Sequence, residues 1–427
     1  MSYPILLRER RPAHVGFITI SFADESGQLF EGGAERHLLN LAKIAQNLGA
    51  DVTIYQRGSC RWQGTCNGIR VVAQPTPRAL LGRILSRQAT LDGCTHLHFQ
   101  YLEQVPWWGI GKPVTATSHG VYWDVPFDSR YRQWYPGGPF ARTILPAWRF
   151  HQRNRSLFAI GRCDRILGTD TTLLRLVQDH RPALRERIDV VLNYTDIAIS
   201  KDESTSCSDP LVRPLMDARR QGHVVVFVPR NLSFVRGGAW LAAIVEQTTA
   251  ATAGHSECHF FVTGAPVDVY GRGERYRALF AEQFNKISEG SQRRLHVVGG
   301  LPHSSMAEAY RASDIVLIPT YAFESTSLAA LEAMGAGIPV VATNIGGLND
   351  AIRHRVTGLL VQPNAEAIGL AIAELAGDAA LRARMGAQGR KTVTDTFTLS
   401  QWQIGATDFA RRAGWSRESL ANGPDIA

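Results

Sequence analysis

Short apolar runs alternate with stretches of helical periodicity along nearly the whole chain, the pattern of βαβ units whose parallel strands are buried on both faces. In the first half, the runs His14–Phe22, Ala50–Gln56, Ile69–Ala73, Thr95–Gln100, Val114–Ser118, Asp164–Gly168 and Ile188–Asn193 predict strands. In the second half, strands are predicted at His223–Val228, His259–Thr263, Leu295–Val298, Asp314–Pro319, Pro339–Ala342 and Gly358–Val361. Each series is long enough for its own doubly wound sheet, so the fold class is α/β with two Rossmann-like halves. Between them, Lys201–Pro214 is polar, rich in Ser and Asp and broken by Pro210 and Pro214, which is linker composition. The expected division is therefore a first domain over 1–198, a linker and lead-in over 199–222, a second domain over 223–396, and a tail over 397–427. In that tail, Trp402, Ile404 and Phe409 mark one amphipathic helix.

Composition agrees with this picture. A chain of 427 residues is too long for one core, at about 150 residues per domain. With 44% apolar and 20% charged residues it has ample core material and no signature of disorder. The net charge of +8 allows an anionic partner without naming one. No run of about 20 apolar residues occurs, and Met1–Pro12 lacks the apolar stretch and small-residue site of a signal peptide, so a cytoplasmic protein is expected. The six cysteines include no C-x2-C pair and are expected to be thiols.

Four segments carry candidate chemistry. In DIVLIPTYAFESTSLAALEAMGAGIPVVAT, Asp314–Thr343, a buried strand ends at Pro319, a loop carries Glu324, and a helix runs from about Ser327 through Glu332. Ligands of open α/β sheets bind outside the carboxyl ends of the strands, and backbone N–H groups at a helix start bind phosphate. A carboxylate at Glu324 can therefore meet a sugar's hydroxyls while the amides of Thr326, Ser327 and Leu328 meet a diphosphate. In PRNLSFVRGGAWLAAI, Pro229–Ile244, Arg230 and Arg236 occupy a strand-to-helix loop on the same sheet edge. Guanidinium groups there would stabilise a diphosphate leaving group most as its charge grows. In FEGGAERHLLNLAKIAQNLGADVTIY, Phe30–Tyr55, Gly32 and Gly33 open a long helix and let a backbone approach a ligand closely, with Glu35 beside them. In PVTATSHGVYW, Pro113–Trp123, a buried strand ends in His119.

Together these segments resemble the retaining GT-B glycosyltransferases of the large family four, whose hallmark is a Glu, seven residues and a second Glu, as at Glu324 and Glu332. The resemblance spans about Gly16 to Pro363. It implies two Rossmann-like domains facing a cleft, the first binding the acceptor and the second the nucleotide sugar, with the tail helix crossing back to the first domain. It further implies that Glu324 contacts the transferred sugar, that Glu332 binds the ribose hydroxyls, that Arg230 and Arg236 clamp the diphosphate, and that His119 lies against the sugar. Gly32, Gly33 and Gly264 join the donor-binding set. The chain departs from the family at Ser325-Thr326-Ser327, where a Gly-aromatic-Gly run is usual. It also departs at Arg236, usually Lys, at Tyr194-Thr195, usually Gly-Val, and at Asn349-Asp350, often Pro-Glu. The segment RIDVVLNYTD is read as supporting the domain boundary, and Gly346-Gly347 as loop punctuation.

The implied activity is transfer of a sugar, of hexosyltransferase type, from a nucleotide sugar to an acceptor hydroxyl in bacterial glycan, glycolipid or glycosylated natural-product synthesis. No cofactor is expected, and with no D-x-D in the chain no metal is expected either. A related GT-B epimerase or phosphorylase, and a non-catalytic sugar-nucleotide binder, remain open alternatives. A nicotinamide dehydrogenase is disfavoured because no G-x-G-x-x-G follows the first strand. Tyr122–Arg155 holds nine aromatics and six arginines, which suits a carbohydrate, lipid-linked or small-molecule acceptor, or peripheral contact with the inner face of the membrane. Arg78, Arg83 and Arg87 beside Leu80, Leu81, Ile84 and Leu85 form a basic amphipathic helix, read first as a solvated face. No nucleic-acid partner is assigned.

Overall fold

The computed structural model describes residues 12–30, 32–120, 141–195, 209–230, 233–264, 273–321 and 324–416. The first sheet has eight strands: β1 (His14–Thr19), β2 (Asp51–Gly58), β3 (Trp62–Cys66), β4 (Ile69–Pro75), β5 (His96–Phe99), β6 (Val114–Ser118), β7 (Arg165–Gly168) and β8 (Ile188–Val190), ordered β3-β4-β2-β1-β5-β6-β7-β8. The second has six: β9 (Val224–Val228), β10 (Cys258–Thr263), β11 (Leu295–Gly299), β12 (Ile315–Ile318), β13 (Val340–Thr343) and β14 (Gly358–Val361), ordered β11-β10-β9-β12-β13-β14. All predicted strands are present, because continuous apolar runs such as Val224–Val228, buried at every position, cannot be satisfied on a one-sided surface. The linker residues 201–208 and the aromatic stretch 122–140 lie outside the described residues.

Strand β3 was not predicted. It pairs antiparallel with β4 at the sheet edge, and its residues alternate between exposed and half-buried until Cys66, so no apolar run announces it. The available signal was the turn: Asn67 and Gly68 have φ of +50° and +77°, the left-handed pair of a two-residue hairpin.

Each sheet is covered on both faces. Phe260, Ile315 and Ile372 belong to one core of the second domain, and Phe227, Tyr310 and Leu331 to the other. The helix Ala379–Thr396 still packs on the second domain, through Met385 and Val393. The helix Leu399–Arg412 does not: Trp402, Ala406, Phe409 and Ala410, with Trp415, enter the core formed by Phe17, Leu38 and Leu41 of the first domain. The last helix thus crosses back, as the resemblance implied. Ile404 is 60% exposed, because the inward stripe runs through 402, 406 and 409 and leaves 404 on the far side.

The two domains also share hydrogen bonds. Asp350 of the second domain accepts from Thr171 N and Thr171 Oγ1 at 2.8 and 2.7 Å, at the start of the first-domain helix Thr172–His180. Its carboxylate therefore serves that helix N-terminus from across the interface. Thr326 Oγ1 donates to Thr169 O at 2.5 Å, and Asn193 Nδ2 donates to Thr326 O at 2.7 Å.

Because Phe409 is fully buried in the first domain's core, Phe409→Ala is expected to cost about 3–5 kcal/mol. Urea unfolding monitored by circular dichroism checks this, and a loss under about 1 kcal/mol would show that the returning helix contributes little to that core.

Candidate active site

In both sheets the chain reverses its direction of winding at a single place. In the first, β1 continues to β2 on one side and is flanked by β5 on the other; in the second, β9 continues to β10 and is flanked by β12. Loops leaving the carboxyl ends at these points diverge and open a crevice. The β9 loop supplies Arg230 and Arg236, the β12 loop Glu324, the β1 loop Gly32 and Gly33, and the β6 end His119. These residues line one cavity of about 800 Å³ between the domains.

Glu324 is the electrostatic centre of the cavity. Its side chain is 3% exposed, and Arg230 donates to it in a bidentate fork, Nη1 to Oε2 and Nη2 to Oε1, both at 2.7 Å. Arg236 Nη1 and Thr320 Oγ1 each donate to Oε2 at 2.8 Å. Burial alone would push the carboxyl up, but the two guanidinium groups and these hydrogen bonds overcome it and hold Glu324 down at about 2. Arg230 also donates to Thr320 Oγ1 and, at 3.1 Å, to Ser327 Oγ. Arg230 is 8% exposed, whereas Arg236 is 38% exposed, so one cation is fixed in the wall and the other reaches into the cleft.

The Glu324 loop is held by glycines. Gly237 adopts φ +94°, and a Cβ there would lie 2.2 Å from Pro319 O. Gly346, at φ +54°, has Glu324 O 2.1 Å from where its Cβ would be, and Gly347 N donates to Glu324 O at 2.9 Å. The pair Gly346-Gly347 is thus more than punctuation, since only a chain without side chains can pass this close to the carboxylate's backbone.

Glu332 lies on the helix Leu328–Gly335, 8% exposed and in the cavity wall, and accepts from Tyr310 Oη at 2.8 Å. Ser327 is the residue before that helix's first turn, and Leu328 begins it. Thr326 is fully buried with its hydroxyl given to the first domain, while Gly33 lies against Leu328 Cδ1 across the cleft.

On the first-domain wall, Gln100 Nε2 donates to His119 Nε2 at 3.0 Å and to Ala34 O at 3.0 Å. Burial pushes His119 down to about 4, so the ring is neutral near pH 7 and carries its proton on Nδ1. His37 stands edge-on to it, ring centroids 5.2 Å apart, with neither ring nitrogen hydrogen-bonded.

Ten of the eleven predicted site residues line this cavity, and Gly264 does not. Gly264 directly follows β10 at φ +85°, its N–H donating to Gly299 O at 2.9 Å, a position one strand away from the crevice. Glu35 is outside the wall too, accepting from Ser21 Oγ at 3.0 Å. Conversely, the segment read only as a boundary contributes Asn193, Tyr194 and Thr195 to the wall, and His37, Tyr101 and His303 were not singled out. His37 had a usable signal, one helical turn after Gly33; Tyr101 stands just past β5, its ring 5.4 Å from that of His119, while His303 joins the wall only through domain packing. Among the described residues, the metal-ligating side chains that group together do so elsewhere, at His223, Glu257 and His259. The five described cysteines are free thiols, and no described helix is long and apolar enough to cross a membrane. Arg83 lies over Trp108, 4.9 Å from the ring centroid, while the helix Leu81–Leu91 buries Leu81 and Leu85.

Two parallel α/β domains facing a cleft, joined by a returning last helix, define a GT-B fold. Residues 257–392, in the second domain, match the family described as glycosyl transferases group 1. It is 31% identical over 224 residues to a D-inositol 3-phosphate glycosyltransferase of Corynebacterium efficiens, covering 52% of this chain and 50% of that protein. It is 53% identical over 57 residues to that of Rhodococcus erythropolis, 13% of each protein. The chain thus matches about half or less of the length of these curated relatives. Among solved structures it resembles sucrose-phosphate synthase from Thermosynechococcus elongatus, with a TM-score of 0.65, 19% identity, and 94% and 98% of the two chains covered. It also resembles HepE of Anabaena in complex with UDP-glucose, at TM-score 0.66, 16% identity and coverage of 93% and 99%. These two likenesses show the fold.

Because Glu324 falls from its ordinary 4.5 to about 2 in the folded chain, its ion pairs stabilise the protein fully above pH 4.5, and that contribution is lost as pH falls toward 2. The stability difference between wild type and Glu324→Gln should therefore be constant from pH 7 to about 5 and shrink below it, measured by urea unfolding at each pH. A difference that grows on acidification would sink the assignment.

Proposed function

We propose that the chain is a retaining glycosyltransferase that moves a sugar from a nucleotide-sugar donor to an acceptor hydroxyl. The observation that carries this reading is the buried Glu324 carboxylate locked between Arg230 and Arg236 at the winding reversal of the second sheet, facing Gly32, Gly33 and His119. In this reading the donor diphosphate lies at the start of the helix Leu328–Gly335, where unpaired backbone N–H groups and the helix dipole favour negative charge. Arg236, the more exposed cation, and Arg230 behind it stabilise charge as the glycosidic bond breaks. Glu332, in the cavity wall, accepts from the ribose hydroxyls. His119, neutral with Nδ1–H, can donate to a sugar oxygen.

The acceptor binds on the first-domain side and attacks from the face the leaving group departs, a diphosphate oxygen helping to remove its proton, so no protein nucleophile and no metal are needed. The curated relatives are named for an inositol phosphate, which supports a small hydroxylated acceptor beside carbohydrates and lipid-linked sugars. A thermal-shift screen of nucleotide sugars tests the donor assignment, since a ligand that binds only the folded state raises its melting temperature.

Arg230→Ala should lower turnover by about 10²–10³-fold, as for loss of an oxyanion donor. Glu324→Ala should cripple transfer equally. Yet it releases two guanidinium groups, so calorimetry should find free nucleoside diphosphate bound at least as tightly as by wild type. If Glu324→Ala instead loses diphosphate affinity as Arg230→Ala does, with its fold intact, Glu324 is not the sugar-side group. Turnover should also persist in EDTA, and a complete loss restored by Mg²⁺ or Mn²⁺ would refute the metal-independent mechanism.

A further inference from the structure

At the opposite, amino-terminal edge of the second sheet, three adjacent strands bring imidazoles together. His223 immediately precedes β9, and His259 and His296 are the second residues of β10 and β11. Register pairs His259 with Val225 and Phe261 with His296, so the three rings form a diagonal row on one face. The rings of His223 and His259 stack at 4.3 Å, and those of His259 and His296 at 5.3 Å. Glu257 closes the group: its Oε2 lies 3.6 Å from His223 Nδ1 and its Oε1 3.3 Å from His259 Nε2.

We propose that His223, Glu257 and His259 form a binding site for a borderline divalent transition ion, with zinc as the reference, in which His296 positions His259 and solvent fills the fourth place. Two imidazoles and a carboxylate are the ligand types zinc takes, at about 2.0–2.2 Å each. The three ligand atoms already lie within 4.8 Å of one another, so modest side-chain rotation closes them on one ion.

His259 Nδ1 lies 3.0 Å from His296 Nε2, and either ring can be the donor. When Nδ1–H donates to His296, His259 Nε2 and the Glu257 oxygen face each other as two acceptors, and a cation between them turns that repulsion into ligation. Arg294, its Nε 3.5 Å from Glu257 Oε1, is the competing cation and must give up this contact. The site ties together the starts of β9 and β10. It stands a full strand from Arg230, about 20 Å at 3.3 Å per residue, so it is independent of the proposed transfer chemistry.

The test is titration of ZnCl2 into the full chain after removal of metal by dialysis, read by calorimetry, with Co²⁺ as a spectroscopic substitute. The expected result is one ion per chain and a raised melting temperature. Affinity should fall at least tenfold in His259→Ala and in Glu257→Gln, and about 10–100-fold in His296→Ala. Glu257 is nearly half exposed, so Glu257→Gln tests the site with no burden on folding. The absorption bands of four-coordinate Co²⁺ should vanish in that variant. Absence of saturable one-to-one zinc binding, or binding in Glu257→Gln and His259→Ala as tight as in wild type, overturns the proposal.

Discussion

A carboxylate can remain ionised in a protein interior only if cations and donors replace the water it loses, and the cleft of this protein is arranged around that constraint at Glu324. The compensation comes from one neighbouring strand's loop, Arg230 and Arg236 after β9, and from Thr320 on the approach to Glu324 itself. Removing one member of such a buried set typically costs 3–5 kcal/mol, because the remaining charge is left unpaired. The network therefore fixes the relative position of two loops that diverge from adjacent strands. The glycines follow from it: Gly237 must clear Pro319 O, and Gly346 must clear Glu324 O.

The same loop also joins the domains. Two residues beyond Glu324, Thr326 bonds Thr169 and receives Asn193, and Asp350, three residues beyond Gly347, serves the start of a first-domain helix. The electrostatic centre and the domain interface are thus parts of one backbone segment. Asp170 shows how closed that interface is, since burial raises its carboxyl to about 6.

Much of this was legible in the residues. Buried parallel strands need continuous apolar runs, so thirteen of the fourteen strands could be read directly, and β3 escaped because an edge strand is not buried on both faces. The spacing of Glu324 and Glu332 and the loop position of Arg230 and Arg236 placed these side chains at one sheet edge, since local sequence decides which end of a strand a residue occupies. The role of Asn193, Tyr194 and Thr195 was missed because their segment carries no pattern beyond the end of a strand.

By itself, then, the sequence determined the class of fold, the strand ends on which the charged residues sit, and the amphipathic helix at Leu399–Arg412, all of which rest on periodicity and short-range spacing. The tertiary structure decided what those residues touch. It alone paired Glu324 with two arginines, sent the last helix to the first domain's core, set Asp350 on a helix of the other domain, and aligned three histidines across β9, β10 and β11. These contacts join residues distant in the chain, and they are selected by the packing of whole surfaces and the satisfaction of buried charge, which no local window of sequence contains.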